Sequence, residues 1–76
     1  MQRNELIIQL AQLLRIDAAR VTEGAKLTDL VADSFVLIET VVELQELLNI
    51  TLVQEDLDGV NTVAQLLDVC QAKMAA

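Results

Sequence analysis

Between residues 4 and 14 the apolar positions return at steps of three and four: Leu6, Ile7, Leu10, Leu13 and Leu14. That spacing gathers them on one side of an α-helix. Asn4 is placed as the N-cap, with Glu5 at the positive end of the helix dipole. Residues 16–32 then lose the period. They hold Thr22, Gly24, Thr28 and Asp29, which favour turns and caps. Val21, Leu27 and Leu30 punctuate this stretch and are expected to pin it to the core. A connection this long in a small domain is uncommon and often functional.

The helical pattern resumes at Asp33, a good N-cap that puts Ser34 at the first helical position. The helix is expected to run to Leu48 or Asn49, with Phe35, Ile38, Val41, Val42 and Leu48 turned inward. Glu39, Glu43 and Glu46 lie four and three residues apart and so form one acidic stripe. Residues 52–60, with Glu55, Asp56 and Asp58, are read as containing a short third helix. Thr62 opens the last helix, and Gln65 three residues later completes a capping-box pattern. Val63, Leu66, Leu67 and Cys70 supply its apolar face, and the C-terminal Ala-Lys-Met-Ala-Ala is expected to fray. There is no proline, and Asp58-Gly59 is the only strand-type turn pair; it lacks alternating flanks. The prediction is therefore all-α.

With 76 residues the chain is read as one domain spanning 1–76. A fold of this size buries only about 60% of its unfolded surface, which leaves no room for a deep interdomain cleft. Apolar residues make up 54% of the chain, enough for a core. Twelve acids against five bases give a net charge of −7. That argues against nucleic acid, whose phosphates need clustered Lys and Arg. One aromatic residue, Phe35, cannot build a base-stacking platform. The charge is uneven: residues 27–72 hold nine acids and no base. Such a face steers toward partners with basic surfaces. The lone cysteine forms no internal disulfide, no stretch reads as a signal peptide, and the apolar runs are too short to span a bilayer. The reading is a cytoplasmic monomer.

No histidine is present, so there is no Ser-His or Cys-His pair. No glycine-rich phosphate loop occurs, and Glu55, Asp56 and Asp58 lack the spacing of a calcium loop. Neither a metal site nor a catalytic residue is expected. Cys70 lies in an apolar helical pattern and reads as a buried structural thiol. Asp33-Ser34-Phe35 stands apart: a long loop, then Asp-Ser, then a helix bearing acids. Taken alone, Asp33 is a cap and Ser34 a tolerated first-turn residue. In that context the serine is exposed at the positive end of a helix dipole, which suits a phosphodiester. No internal base is needed when another enzyme makes the modification.

Residues 27–35 read Leu-Thr-Asp-Leu-Val-Ala-Asp-Ser-Phe. This resembles the modification site of acyl carrier proteins, commonly Asp-Leu-Gly-Ala-Asp-Ser-Leu. The resemblance continues without a gap through Ile38-Glu39, residues 42–46 and residues 52–56 to Asn61-Thr62-Val63. It implies a four-helix bundle with a long first loop and a short third helix. It implies that Ser34 is esterified by 4′-phosphopantetheine, delivered from coenzyme A by a phosphopantetheinyl transferase. The thiol of that group would carry acyl chains as thioesters, and the carrier itself would catalyse nothing. Asp33, Glu39 and Glu46 match positions that meet basic patches on partners such as acyltransferases and ketosynthases. Val42 matches an apolar recognition position, and Phe35 and Glu43 belong to the same recognition face.

Several residues depart from the family's pattern. Val31 stands for glycine, Phe35 for leucine and Val53 for proline, while Val36 and Gln45 occupy positions that are often acidic in fatty-acid carriers. The departures point to a specialised carrier of polyketide or related biosynthesis. An Asp-Ser-Phe core is also similar to carriers of aminoacyl groups, D-alanine included. A third reading, from another class, is an unmodified helical interaction module using the second helix. The almost wholly aliphatic core further predicts that the helices can part to admit an acyl chain.

Overall fold

The computed structural model describes residues 2–75. Three helices of three to four turns carry the fold: α1 (Arg3–Leu14), α3 (Ser34–Leu48) and α5 (Val63–Ala75). Two single-turn helices join them, α2 (Leu27–Leu30) and α4 (Gln54–Leu57), with a 3₁₀ turn at Ala18–Arg20. The expected four helices are therefore α1, α3, α4 and α5, and α4 is the short third. The additional turn, α2, lies inside the long connection. Leu27 and Leu30, three residues apart, are what it turns toward the core.

The cap of α1 lies two residues earlier than expected. Gln2, not Asn4, is its N-cap, because the Glu5 carboxylate reaches back to accept the Gln2 N–H at 3.3 Å. α1 and α3 end alike. Arg15 (φ 59°) and Asn49 (φ 55°) take the left-handed conformation. The next residues, Ile16 and Ile50, donate their N–H groups back to Ala11 and Gln45 carbonyls at 3.1 and 3.0 Å. Each isoleucine then folds against the core, the hydrophobic contact that accompanies this helix stop.

The first-turn N–H groups of α5 have no partner within their own helix and must be satisfied elsewhere. Thr62 Oγ1 accepts from Gln65 N–H at 3.3 Å, and Gln65 Oε1 accepts from Thr62 N–H at 3.1 Å, completing the capping box. Val63 and Ala64 donate to the carbonyls of Ala25 and Glu23 at 3.0 and 2.9 Å. Leu27 N–H donates to the Asn61 carbonyl at 2.9 Å in return. The long first connection is thus stitched to the start of α5 by backbone hydrogen bonds, in addition to the buried Val21 and Leu27.

Arg3 adds a polar clamp at the same end. Its guanidinium donates to Glu23 Oε1 at 2.8 Å, Asp68 Oδ1 at 2.8 Å, Gln71 Oε1 at 2.7 Å and the Ala64 carbonyl at 3.0 Å. One residue of α1 thereby holds both the connection and α5. α5 stays helical to Ala75 rather than fraying from residue 72. Met74 packs on the core, and Lys73 Nζ pairs with Asp56 Oδ2 at 3.1 Å. The same Asp56 carboxylate accepts the Val53 N–H at 3.0 Å. That bond first, and Lys73 second, hold its carboxyl below the usual range.

The core joins α1, α3 and α5 through Leu6, Leu10, Leu44, Val63, Leu66, Leu67 and Cys70, all fully buried. It contains no aromatic ring, because Phe35 is outside it. Cys70 is enclosed by this core, and burial pushes its thiol up to about 11. The unfolded thiol ionises first, so this contribution to stability is intact below about pH 9 and is lost as the pH climbs toward 11. Urea midpoints are expected to drop between about pH 8 and about pH 10.5, and Cys70→Val to remove part of that drop. An unchanged pH dependence in the variant would contradict it.

Candidate functional site

α3 is the element on which the candidate residues sit. Asp33 caps it, its Oδ1 accepting the Phe35 N–H at 2.9 Å, and the Asp33 carbonyl accepts from Leu37 at 3.2 Å. That cap starts the helix at Ser34 and leaves no acid in the first turn. Ser34 is exposed, and its hydroxyl makes no hydrogen bond among the described residues. The positive end of a 15-residue helix dipole therefore meets an unengaged hydroxyl. Ser34 is also the only serine of the chain, a fact legible in the sequence that sharpens the reading of Asp33-Ser34.

Glu39, Glu43 and Glu46 are all exposed and form no ion pair among the described residues. At 100° per residue they share a side of α3, as their spacing predicts. Beside them lie three apolar side chains that had been expected inside: Phe35, Ile38 and Val42 are 66%, 61% and 48% exposed. The inward face is made instead by Leu37, Thr40, Val41, Leu44 and Leu48. Of the expected inward residues only Val41 and Leu48 are there. The physical reason is that α3 is apolar nearly all round, so periodicity selects no unique face. Thr40 is tolerated inside because its Oγ1 donates to the Val36 carbonyl at 2.9 Å. Asp33, Phe35, Glu39, Val42, Glu43 and Glu46 thus all lie exposed on one helix and its cap.

A cavity of about 290 Å³ opens along the same helix. Ile38, Val41 and Val42 form one wall, Leu57 and Val60 of the α4 segment another, and Leu66 of α5 the floor. Ser34, Ile38, Val42 and Gln45 follow one another at steps of four, four and three, so the cavity lies on the serine's side of α3. An apolar cavity of about 150 Å³ already accepts a benzene ring, so this one has room for a medium-length hydrocarbon chain.

Among the described residues no group of three metal-ligating side chains comes together. None of the helices there is long and apolar enough to cross a membrane. An accessible hydroxyl at a helix start, directly after the capping Asp33, suits receipt of a group. The comparison with known families agrees. The phosphopantetheine attachment site family matches residues 4–70, and the chain belongs to it. Domains of this family are the attachment point for covalent 4′-phosphopantetheine and carry a group rather than transform it. The chain is therefore a phosphopantetheine-dependent carrier protein. No curated protein sequence matches it.

Proposed function

We propose that Ser34 is the residue esterified by 4′-phosphopantetheine, and that residues 1–76 act as one cytoplasmic acyl carrier domain in polyketide or related specialised biosynthesis. One observation supports the site above all: the chain's single serine is exposed, without a hydrogen bond among the described residues, and seated at the positive end of α3. The group fits there. Among the described residues nothing engages the hydroxyl, and the adjacent Asp33 carboxylate accepts the Phe35 N–H instead. Once attached, the group supplies a thiol that holds cargo as a thioester. The protein's own residues present the hydroxyl, stabilise the phosphate's charge at the helix end and offer an apolar cavity to the chain.

The cavity supports an acyl rather than an aminoacyl cargo, since its wall carries no charged side chain to meet an ammonium group. Trial loading separates the two. The phosphopantetheinylated protein is offered to a malonyl-type acyltransferase and to an amino-acid adenylation enzyme, and intact mass is read. Charging by the first alone is expected; charging by the second alone would overturn the acyl reading.

Asp33, Glu39, Glu43 and Glu46, with Phe35 and Val42 between and beside them, are the docking face for basic patches on the transferase and on acyl-processing enzymes. Weak electrostatic docking lets partners exchange, while the tether keeps cargo near millimolar effective concentration. Glu39→Lys with Glu46→Lys is expected to slow modification on the order of tenfold at low salt, with the difference narrowing at high salt. Equal rates at both salt concentrations would remove this face from recognition.

A further inference from the structure

The cavity beside α3 has one polar side chain on its wall, Gln45; every other lining residue is leucine, isoleucine or valine. The Gln45 carboxamide oxygen accepts the Leu52 N–H at 2.9 Å. An N–H only donates, so this bond identifies which end of the amide is oxygen. The nitrogen is left with two donors and no acceptor among the described residues. It is not sealed inside the protein, because no buried side-chain polar atom there lacks a partner. The donors therefore keep contact with accessible space, on a residue that lines the cavity.

We propose that Gln45 makes this cavity selective for acyl chains bearing an oxo or hydroxyl oxygen over fully saturated chains. This deepens the acyl carrier reading and rests on it. A saturated chain lying across Gln45 displaces water from its donors and returns no hydrogen bond. An oxygenated chain supplies the acceptor, and its own oxygen avoids unpaired burial among Leu, Ile and Val. Gln45 lies eleven residues beyond Ser34, roughly 16 Å along the helix axis. The contact is thus made by cargo on an extended arm and not by the attachment residue's immediate neighbours.

The test loads the full chain, by transferase and coenzyme A thioesters, with octanoyl, 3-oxooctanoyl or 5-oxooctanoyl groups. Complete loading is verified by mass. Two readouts follow: the Gln45 side-chain NH₂ signals alongside the Val41 and Leu66 backbone amides by NMR, and the melting temperature. At least one oxo chain is expected to move the Gln45 NH₂ signals and to raise the melting temperature above that of the octanoyl form. Gln45→Glu keeps an acceptor for Leu52 N–H but removes the donors at neutral pH. That variant is expected to shift the oxo-minus-octanoyl difference downward by roughly 4–8 °C. If Val41 and Leu66 respond to all three chains while Gln45 does not, and the variant keeps the order, the cavity takes chains without selection by Gln45. If no amide responds to any fully loaded chain, the cavity is not entered. If no chain loads at all, the carrier reading of Ser34 fails first. Each of these three results overturns the proposal.

Discussion

Ser34→Ala is expected to abolish the mass gain of one phosphopantetheine on incubation with coenzyme A and a broad-specificity transferase, while leaving the fold intact. The two halves of this prediction have separate physical grounds. The hydroxyl is the only serine oxygen in the chain, and it is exposed. It makes no hydrogen bond among the described residues, so its removal orphans no partner. Alanine is at least as good a helix residue as serine. Stability is accordingly expected to change by no more than about 0.5 kcal/mol, as for other surface substitutions. Asp33→Ala is the complementary variant. It keeps the hydroxyl but removes the bond to Phe35 N–H, which costs about 1 kcal/mol of helix stability. It is expected to remain modifiable at a reduced rate, since both a docking charge and the helix start are altered. Full modification of Ser34→Ala would move the attachment to another residue and remove the central assignment. Loss of helical circular dichroism in Ser34→Ala would make Ser34 structural, and the missing mass gain would then say nothing about attachment.

The helix starts around the candidate site were more legible in the sequence than the packing beneath them. Asp33 and the Thr62–Gln65 pair announce helix starts by chemistry that operates within three residues, and both caps form as read. The acidic stripe depends only on helical spacing. Other features depend on residues distant in sequence and left no local signal. The Glu23 and Ala25 carbonyls complete the first turn of α5 from about forty residues away. Arg3 is paired with Glu23 and Asp68, 20 and 65 residues away. Gln2 is a weak cap by residue type, so the Glu5 return bond that starts α1 there was passed over for Asn4. The cavity arises only where α3, the α4 segment and α5 meet, and Gln45 acquires its meaning from Leu52 seven residues on.

The inward face of α3 differs from the one its apolar spacing suggests, and the difference can be checked energetically. Leu44 is fully buried between the long helices, whereas Ile38 is 61% exposed. Leu44→Ala removes buried carbon and leaves a cavity, which costs about 2–5 kcal/mol. A chain of 76 residues has a total stability of only about 4–11 kcal/mol at typical values per residue. The variant is thus expected to lose about a fifth or more of its stability and, at about 4–8 °C per kcal/mol, roughly 8–40 °C of melting temperature. Ile38→Ala removes a comparable number of carbon atoms from the same helix yet is expected to cost less than about 1 kcal/mol, because most of its side chain already meets water. Equal losses at the two positions would mean that α3 is rotated and that Ile38 belongs to the core. The contrast also bears on function. Ile38 lines the cavity, so Ile38→Ala is expected to weaken the extra melting stability conferred by a loaded acyl chain while sparing the empty protein. A surface isoleucine that matters only when cargo is present is difficult to explain by packing alone, and it ties the exposed side of α3 to what the carrier holds.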